Sequence, residues 1–475
     1  MFHVQFPIKK WLFVAVYLLL VGISAAQTVS QKLQKAFAVF EKDNQLKYAI
    51  SSLYVIDAAT GQVVFSKNAR IGLAPASTQK LITSATAFEL LGKEYKYKTQ
   101  LGYTGEIDAD TLEGDLFIRG RGDPTFGSWR YVSTKDSIIV YKWSSMIKKA
   151  GIKKIGGAIV YNYKDYSLNA IPDGWIWQDL GNYYGATPFI INWRENQYDI
   201  LLKSGNEISS AVEILGNNSS FRNELKAAAK NTGDNAYVYL PSTDYFPVIS
   251  GTIPVGESAF KISASDMHPF QNFSLELQFS LIKQGITAKK TQTGLNTNWD
   301  YLERVNELKD KIRILDTHYS PSLDSIIYWF NQKSINLYGE ALIKTFAYEK
   351  TGFGSTDSGI AVLKKFWKQK GMDEDELNIV DGSGLSPLNR VTTHAQVEIL
   401  KYAKAKDWFP YFYNSLPEYN GMKMKSGTIR GVKAFCGYHK AKNGKEYIFS
   451  FIVNNYNGSP SALVNKMYRV LDVLK

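Results

Sequence analysis

Ala74-Pro75-Ala76-Ser77-Thr78-Gln79-Lys80-Leu81-Ile82-Thr83-Ser84-Ala85-Thr86-Ala87-Phe88-Glu89-Leu90-Leu91-Gly92 is the stretch around which the rest of the 475-residue chain is organised. Pro ahead of the apolar run and Gly after it punctuate a helix. Ser77 falls in its first turn, where free backbone N–H groups and the helix dipole favour negative charge. Lys80, three residues on, returns to the same face, so its amine can reach the Ser77 hydroxyl. A serine becomes nucleophilic when a neighbour takes its proton, and a desolvated lysine of lowered pKa can do so. Ser77 and Lys80 therefore make a candidate acyl-transfer centre.

Spacing alone does not select this pair. S-x-x-K recurs at Ser145/Lys148, Ser258/Lys261 and Ser280/Lys283. Ser145 reads as the solvated side of a helix, and Ser258 lies in a Gly-flanked stretch. Ser280 falls late in a run of apolar–polar alternation. Ser77 alone has helix-start punctuation with an apolar face behind it.

A chain of this length exceeds one ordinary core, so two or three domains are expected. Its composition, 45% hydrophobic and 21% charged, is globular. Lys9-Lys10, the apolar run Trp11 to Ile23 and Ser24-Ala25-Ala26-Gln27 read as a secretory signal cut after Ala26. The apolar run is short for a membrane span, so no stable anchor is expected, and no Cys near the cut offers a lipid site. Export, to a periplasm or outside the cell, follows. The one cysteine, Cys436, excludes intramolecular disulfides and reads as a buried small hydrophobe. The net charge of +12 suits an anionic polymer such as cell wall. With an export signal and no recognised module, nucleic acid is not an expected partner. His268, His318, His394 and His439 show no ligand spacing, so no metal or cofactor is expected. The absence of G-x-S-x-G argues against an α/β-hydrolase.

Along the chain, a helix over 30–42 precedes a hairpin of Ala49–Asp57 and Gln62–Ser66 across Ala58-Ala59-Thr60-Gly61. From about Glu94 to Thr291 short strands and turns dominate. Helices return at Ser322–Phe330, Asn336–Tyr348, Ser358–Lys370 and Val391–Ala405. Strand-like runs follow at Gly421–Ser426, Val432–Tyr438 and Tyr447–Val453, before a last helix over Ser461–Leu474. An α+β unit, residues 27–93 and 292–475, is thus interrupted by a mostly β insert at 94–291.

An acyl-transfer site also needs a second proton relay, a substrate-holding amide and oxyanion donors. Enzymes of the S-x-x-K kind supply them with S-x-N and Lys–Ser/Thr–Gly motifs. S-x-N occurs at Ser66, Ser204 and Ser334 among other places; the third motif occurs at Lys203-Ser204-Gly205, Lys350-Thr351-Gly352 and Lys425-Ser426-Gly427. Gly352 reads as a helix stop, and Ser204 lies inside the insert. Lys425-Ser426-Gly427-Thr428 ends a strand and leads through Arg430-Gly431 into another. An edge strand beside Ser77 would offer the Thr428 and Ser77 N–H groups as an oxyanion hole. Ser66-Lys67-Asn68 closes a hairpin, which leaves Ser77, Ser334 and Lys425 as a set that lies wholly outside the insert.

In this combination the chain resembles the penicillin-binding D-Ala-D-Ala carboxypeptidases of the large-insert type (class C low-molecular-mass, penicillin-binding protein 4-like). Gly120-Arg121-Gly122-Asp123-Pro124, Gly174-Trp175-Ile176-Trp177-Gln178-Asp179 and Tyr184-Gly185-Ala186 match the family as well. So do Asn336-Leu337-Tyr338-Gly339-Glu340 and Asp381-Gly382-Ser383-Gly384-Leu385-Ser386. Two departures stand out: Ser426 where Thr is usual, and Asn162 where an acidic residue that reads the substrate's amino end is expected. The resemblance implies a serine β-lactamase/DD-transpeptidase-like catalytic domain, with a small domain at about 205–262 nested in the insert. It implies removal of the terminal D-Ala from peptidoglycan stem peptides, with action on cross-links as a second activity and β-lactams as inhibitors. Ser77 would attack, Lys80 take its proton and Ser334 relay a proton to the leaving amine. Asn336 would hold the substrate amide, and Lys425, Ser426, Gly427 and Thr428 would form the carboxylate subsite. The Asp381–Ser386 loop is expected beside the site as structure. The rival readings are a β-lactamase-like hydrolase and a non-catalytic wall-binding scaffold.

Overall fold

Strands from the two ends of the chain close into one antiparallel sheet, which brings sequence-distant motifs onto a common frame. The computed structural model describes residues 27–216, 221–242, 245–288, 307 and 311–475; the expected signal segment 1–26 lies outside them. β1 (Ile50–Asp57) and β2 (Val63–Lys67) form the expected hairpin. β3 (Met422–Ile429), β4 (Val432–Lys440) and β5 (Glu446–Asn454) form a meander, and β5 pairs with β1 along its whole length. With the two-residue strand Glu418–Tyr419 beyond β3, the sheet has six strands. β4 and β5 carry continuous apolar runs because both of their faces are covered.

On one face lie α1 (Val29–Glu41) and the C-terminal helix Pro460–Leu471, with Phe37 and Phe40 packed on Phe451 of β5. On the other lie α2 (Lys80–Leu91), α3 (Leu323–Gln332), α4 (Asn336–Thr351) and α5 (Thr393–Lys404). Every α2 residue from Lys80 to Phe88 is buried. A helix enclosed on all sides needs no polar face, so its sequence is apolar or small nearly throughout.

The inserted part holds a sheet ordered Arg313–Tyr319, Lys98–Tyr103, Leu116–Arg119 and Ile159–Tyr161. Helices Asp136–Lys149 and Pro269–Lys283 pack against each other through Trp143 and Phe273, which join Phe126 and Trp193 in one aromatic cluster. Two features differ from the expectations. The alternating run around Ser280 is a helix: Phe273, Leu277 and Leu281 repeat every four residues and are buried, while Phe279 and Ile282 face out. Arg313–Tyr319, assigned above to the catalytic unit, is hydrogen-bonded into the insert's sheet. A further small β unit begins at Gln197, whose strand (Gln197–Ser204) pairs with Phe260–Ser265 and Val212–Leu215. It packs on Arg222–Ala228, Val248–Pro254 and Asn235–Tyr239 through Leu202, Leu225 and Ile249.

Phe451 is fully enclosed between α1 and the sheet. Phe451→Ala should lower the unfolding free energy by about 3–5 kcal/mol, read as a fall in urea midpoint.

Candidate active site

Ser77 sits in a tight 3₁₀ turn, Ala76–Gln79, that leads into α2 rather than in the α-helix itself. Ala76 takes a left-handed φ of 46°, a strained setting for a residue with a Cβ. The turn is pinned from both sides. Gln396 of α5 donates to Thr78 Oγ1 at 2.9 Å, and Gln79 Nε2 donates to Asp381 Oδ1 at 3.0 Å.

Directly below, Lys80 is 0% exposed. Its Nζ lies 3.1 Å from Ser77 Oγ, 2.6 Å from Asn336 Oδ1 and 2.7 Å from the Ser383 carbonyl. Burial lowers its pKa to about 7, against the opposing pull of Asp381 and Glu340. As a neutral amine Lys80 keeps two donors and one lone pair. The Asn336 and Ser383 oxygens can only accept, so they take the two N–H bonds and the lone pair is left for the Ser77 proton. Glu340, beneath α2, accepts from the Gly382 N–H at 2.9 Å, and burial beside Asp381 pushes its carboxyl well up.

Ser334 occupies the junction between α3 and α4, again with a left-handed φ, 57°. Lys425 Nζ donates to Ser334 Oγ at 2.9 Å and to the Ser426 carbonyl at 3.0 Å. Burial, with Lys80 and Lys433 nearby, pushes the Lys425 amine well below its ordinary pKa. Asn336 is held at both ends: Oδ1 by Lys80, and Nδ2 by the Tyr184 carbonyl of the insert at 2.7 Å.

β3 completes the arrangement. The Met424 N–H reaches outward to Pro417 O at 3.0 Å, and the Ser426 carbonyl points the same way, to Lys425 Nζ. The two-residue repeat of a strand turns the Thr428 N–H to that side too. A Cβ on Gly427 would lie 2.6 Å from Pro75 O and 3.0 Å from Ser77 N, so glycine is what lets β3 approach the serine. A cavity of about 430 Å³ opens here, lined by Ser77, Ser334, Asn336, Thr428, Tyr184 and Glu195 among others. Its wall is rigid: Arg130 grips Glu195 at 2.7 and 3.1 Å, and Tyr338 donates to Glu195 at 2.8 Å.

All eight residues singled out in the sequence thus converge. Lys203-Ser204-Gly205 lies in the inserted β unit, and Lys350-Thr351-Gly352 ends α4 with Gly352 at φ 77°. Asn162 is buried and bonds the Gly120 backbone at 2.8 and 3.1 Å, so it braces the GRGDP turn. Asp381 binds Gln79, Trp175, Asn389 and the backbone of Gly384 and Ser386, which sets the Ser383 carbonyl under Lys80. Sequence reading missed Lys433, whose Nζ donates to Ser426 Oγ and Thr428 Oγ1, both at 2.8 Å. Its signal was the Arg430-Gly431 turn, which sets Lys433 opposite Thr428. It also missed what the Tyr184 carbonyl does, although Tyr184-Gly185-Ala186 was marked as a match, and it missed the Arg130–Glu195 pair. Among the described residues no group of three His, Cys, Asp or Glu could hold a metal ion. Gly427→Ala should slow acylation of Ser77 about a hundredfold by prising β3 away, measured with an active-site acylating agent and intact mass.

Residues 33–418 match the model of the D-Ala-D-Ala carboxypeptidase 3 (S13) family; Lys425–Thr428 lie just beyond the match. Among curated relatives, the D-alanyl-D-alanine carboxypeptidase of an Actinomadura species is 25% identical over 460 residues, covering 89% of this chain and 80% of that protein. The D-alanyl-D-alanine carboxypeptidase DacB of Haemophilus influenzae is 24% identical over 421 residues, covering 83% of each chain. The crystal structure of penicillin binding protein 4 (dacB) from Haemophilus influenzae superposes with a TM-score of 0.75 at 19% identity, covering 93% of this chain and 98% of that one. Its complex with a β-lactam superposes at 0.70. The α+β fold with a large insert is therefore shared. The chain is a serine peptidase that belongs to the D-Ala-D-Ala carboxypeptidase 3 (S13) family.

Proposed function

We propose that this chain is a serine-type D-Ala-D-Ala carboxypeptidase that trims peptidoglycan stem peptides through an acyl-enzyme on Ser77. The observation that carries the reading is the buried Lys80 amine, 3.1 Å from Ser77 Oγ and engaged by two pure acceptors on its other side. Neutral Lys80 takes the hydroxyl proton as Ser77 Oγ bonds to the carbonyl carbon of the penultimate D-Ala. The N–H groups of Ser77 and Thr428 receive the developing oxyanion, each such donor contributing about 3–4 kcal/mol to the transition state. Collapse breaks the C–N bond while Ser334, bonded to Lys425, gives its proton to the leaving amine and is reprotonated with the proton that Lys80 took from Ser77. Water then hydrolyses the ester and returns the proton to the Lys80–Ser77 pair. Asn336 exchanges the Tyr184 carbonyl for the substrate amide, and Ser426 and Thr428 take the terminal carboxylate. A β-lactam enters the same steps and leaves a stable ester.

The insert belongs to the cleft in this reading, because Tyr184 and Glu195 come from it. Export through residues 1–26 would bring the enzyme to the wall; among the described residues no helix is long and apolar enough to cross a membrane.

Exposure to benzylpenicillin should add one drug mass to the peptide containing Ser77. Ser77→Ala should abolish the adduct and cut turnover by at least about a thousandfold with an unchanged unfolding midpoint. Turnover persisting in Ser77→Ala would remove Ser77 from the mechanism. Because the Lys80 amine is neutral above about pH 7 and charged below it, kcat/KM should climb with an ascending limb near pH 7. Lys80→Arg should lose both the limb and the activity, since a guanidinium stays protonated.

A further inference from the structure

A terminal carboxylate calls for positive charge, and two lysines stand at the Ser426–Thr428 segment from opposite sides of β3. Lys425 is committed elsewhere. It is 2% exposed, and its amine is spent on Ser334 Oγ and the Ser426 carbonyl, the position of a proton relay. Lys433 comes from β4, in register with Thr428, and touches no member of the relay. Its Nζ lies 2.8 Å from Ser426 Oγ, 2.8 Å from Thr428 Oγ1 and 5.0 Å from the centre of the Phe435 ring.

The consequence follows from the inventory of a hydroxyl, which has one proton and two lone pairs. Each hydroxyl accepts from the Lys433 ammonium, which has no acceptor to offer in return. Each O–H proton must therefore turn to a third group. Ser426 and Thr428 are two apart and share one face of β3, and Thr428 lines the cleft. Two parallel donors backed by a cation match the two oxygens of a carboxylate.

We propose that Lys433 is a positioning residue for specificity: it turns the Ser426 and Thr428 hydroxyls into paired donors for the C-terminal carboxylate, and so sets the preference for a free peptide end over a blocked one. The proposal rests on the carboxypeptidase reading and deepens it, placing the selecting charge outside all three motifs.

The test compares diacetyl-Lys-D-Ala-D-Ala with its C-terminal carboxamide on the wild type, Lys433→Met, Lys433→Gln and Lys433→Arg. Loss of a charge-assisted contact should lower kcat/KM for the acid about ten- to a hundredfold in Lys433→Met and Lys433→Gln, chiefly through KM. The carboxamide should change less than about twofold, and Lys433→Arg should recover most of the preference. Equal losses on both peptides, or none on either, would overturn the proposal. Acylation of Ser77 by benzylpenicillin and by its methyl ester, read by intact mass, supplies a ratio that needs no turnover. Should the wild type hydrolyse neither peptide yet be acylated, the carboxypeptidase reading fails and that ratio decides on Lys433. A ratio that Lys433→Met leaves unchanged overturns the role, and a wild type that neither drug acylates overturns both readings.

Discussion

A lysine amine without exposure to water is tolerable only where its surroundings supply acceptors or accept it neutral. Lys80 meets both conditions, and most of the catalytic unit can be understood as the means of doing so. Its partners, Ser77, Asn336 and Ser383, lie up to 303 positions from it in the chain. α2 provides the lysine, the first residue of α4 is Asn336, and the loop at Asp381–Ser386 provides a carbonyl. Closing the sheet from both chain ends fixes these pieces relative to β3.

Asp381 is the brace behind this contact. Its carboxylate gathers donors from Gln79, Asn389, Gly384 and Ser386, and from Trp175 of the insert. Five donors satisfy this buried carboxylate, and among the described residues none of its hydrogen-bond partners is a cation. The Trp175 contact ties the insert to the catalytic unit beside Ser77. The Tyr184 carbonyl on Asn336 is a second tie, and the Tyr338 hydroxyl on Glu195 a third. The insert is therefore part of the cleft wall as well as a cover.

Three lysines, Lys80, Lys425 and Lys433, crowd the site, and burial lowers the pKa of each. Each is held by a different set of oxygens. Lys80 faces Ser77, Lys425 faces Ser334, and Lys433 faces the Ser426 and Thr428 hydroxyls. Under the proposed roles, oxygen placement separates a base, a relay partner and an anion-orienting cation built from one residue type.

Local sequence carried the turn at Ser77 well. Pro75, Gly92 and the i,i+3 pairing of Ser77 and Lys80 report local backbone geometry, which neighbouring residues alone can specify. The β1–β2 hairpin, the end of α4 at Gly352 and the strand at Lys425 were legible for the same reason. The choice of Ser334 and Lys425 among several matching triplets came from position in the chain and from resemblance to a family. The helix around Ser280 was obscured because its residues satisfy periods of two and of four together, and only burial distinguishes them. What only the tertiary structure decided is the set of contacts between segments far apart in the chain: Arg313–Tyr319 joining the insert's sheet, Asn162 bracing Gly120, and the Tyr184 carbonyl holding Asn336. Lys433 belongs with these, since its role depends on which face of β4 meets β3. Residue types and local turns are written in neighbouring letters, whereas the partner of a buried polar atom is set by packing between segments brought together only on folding.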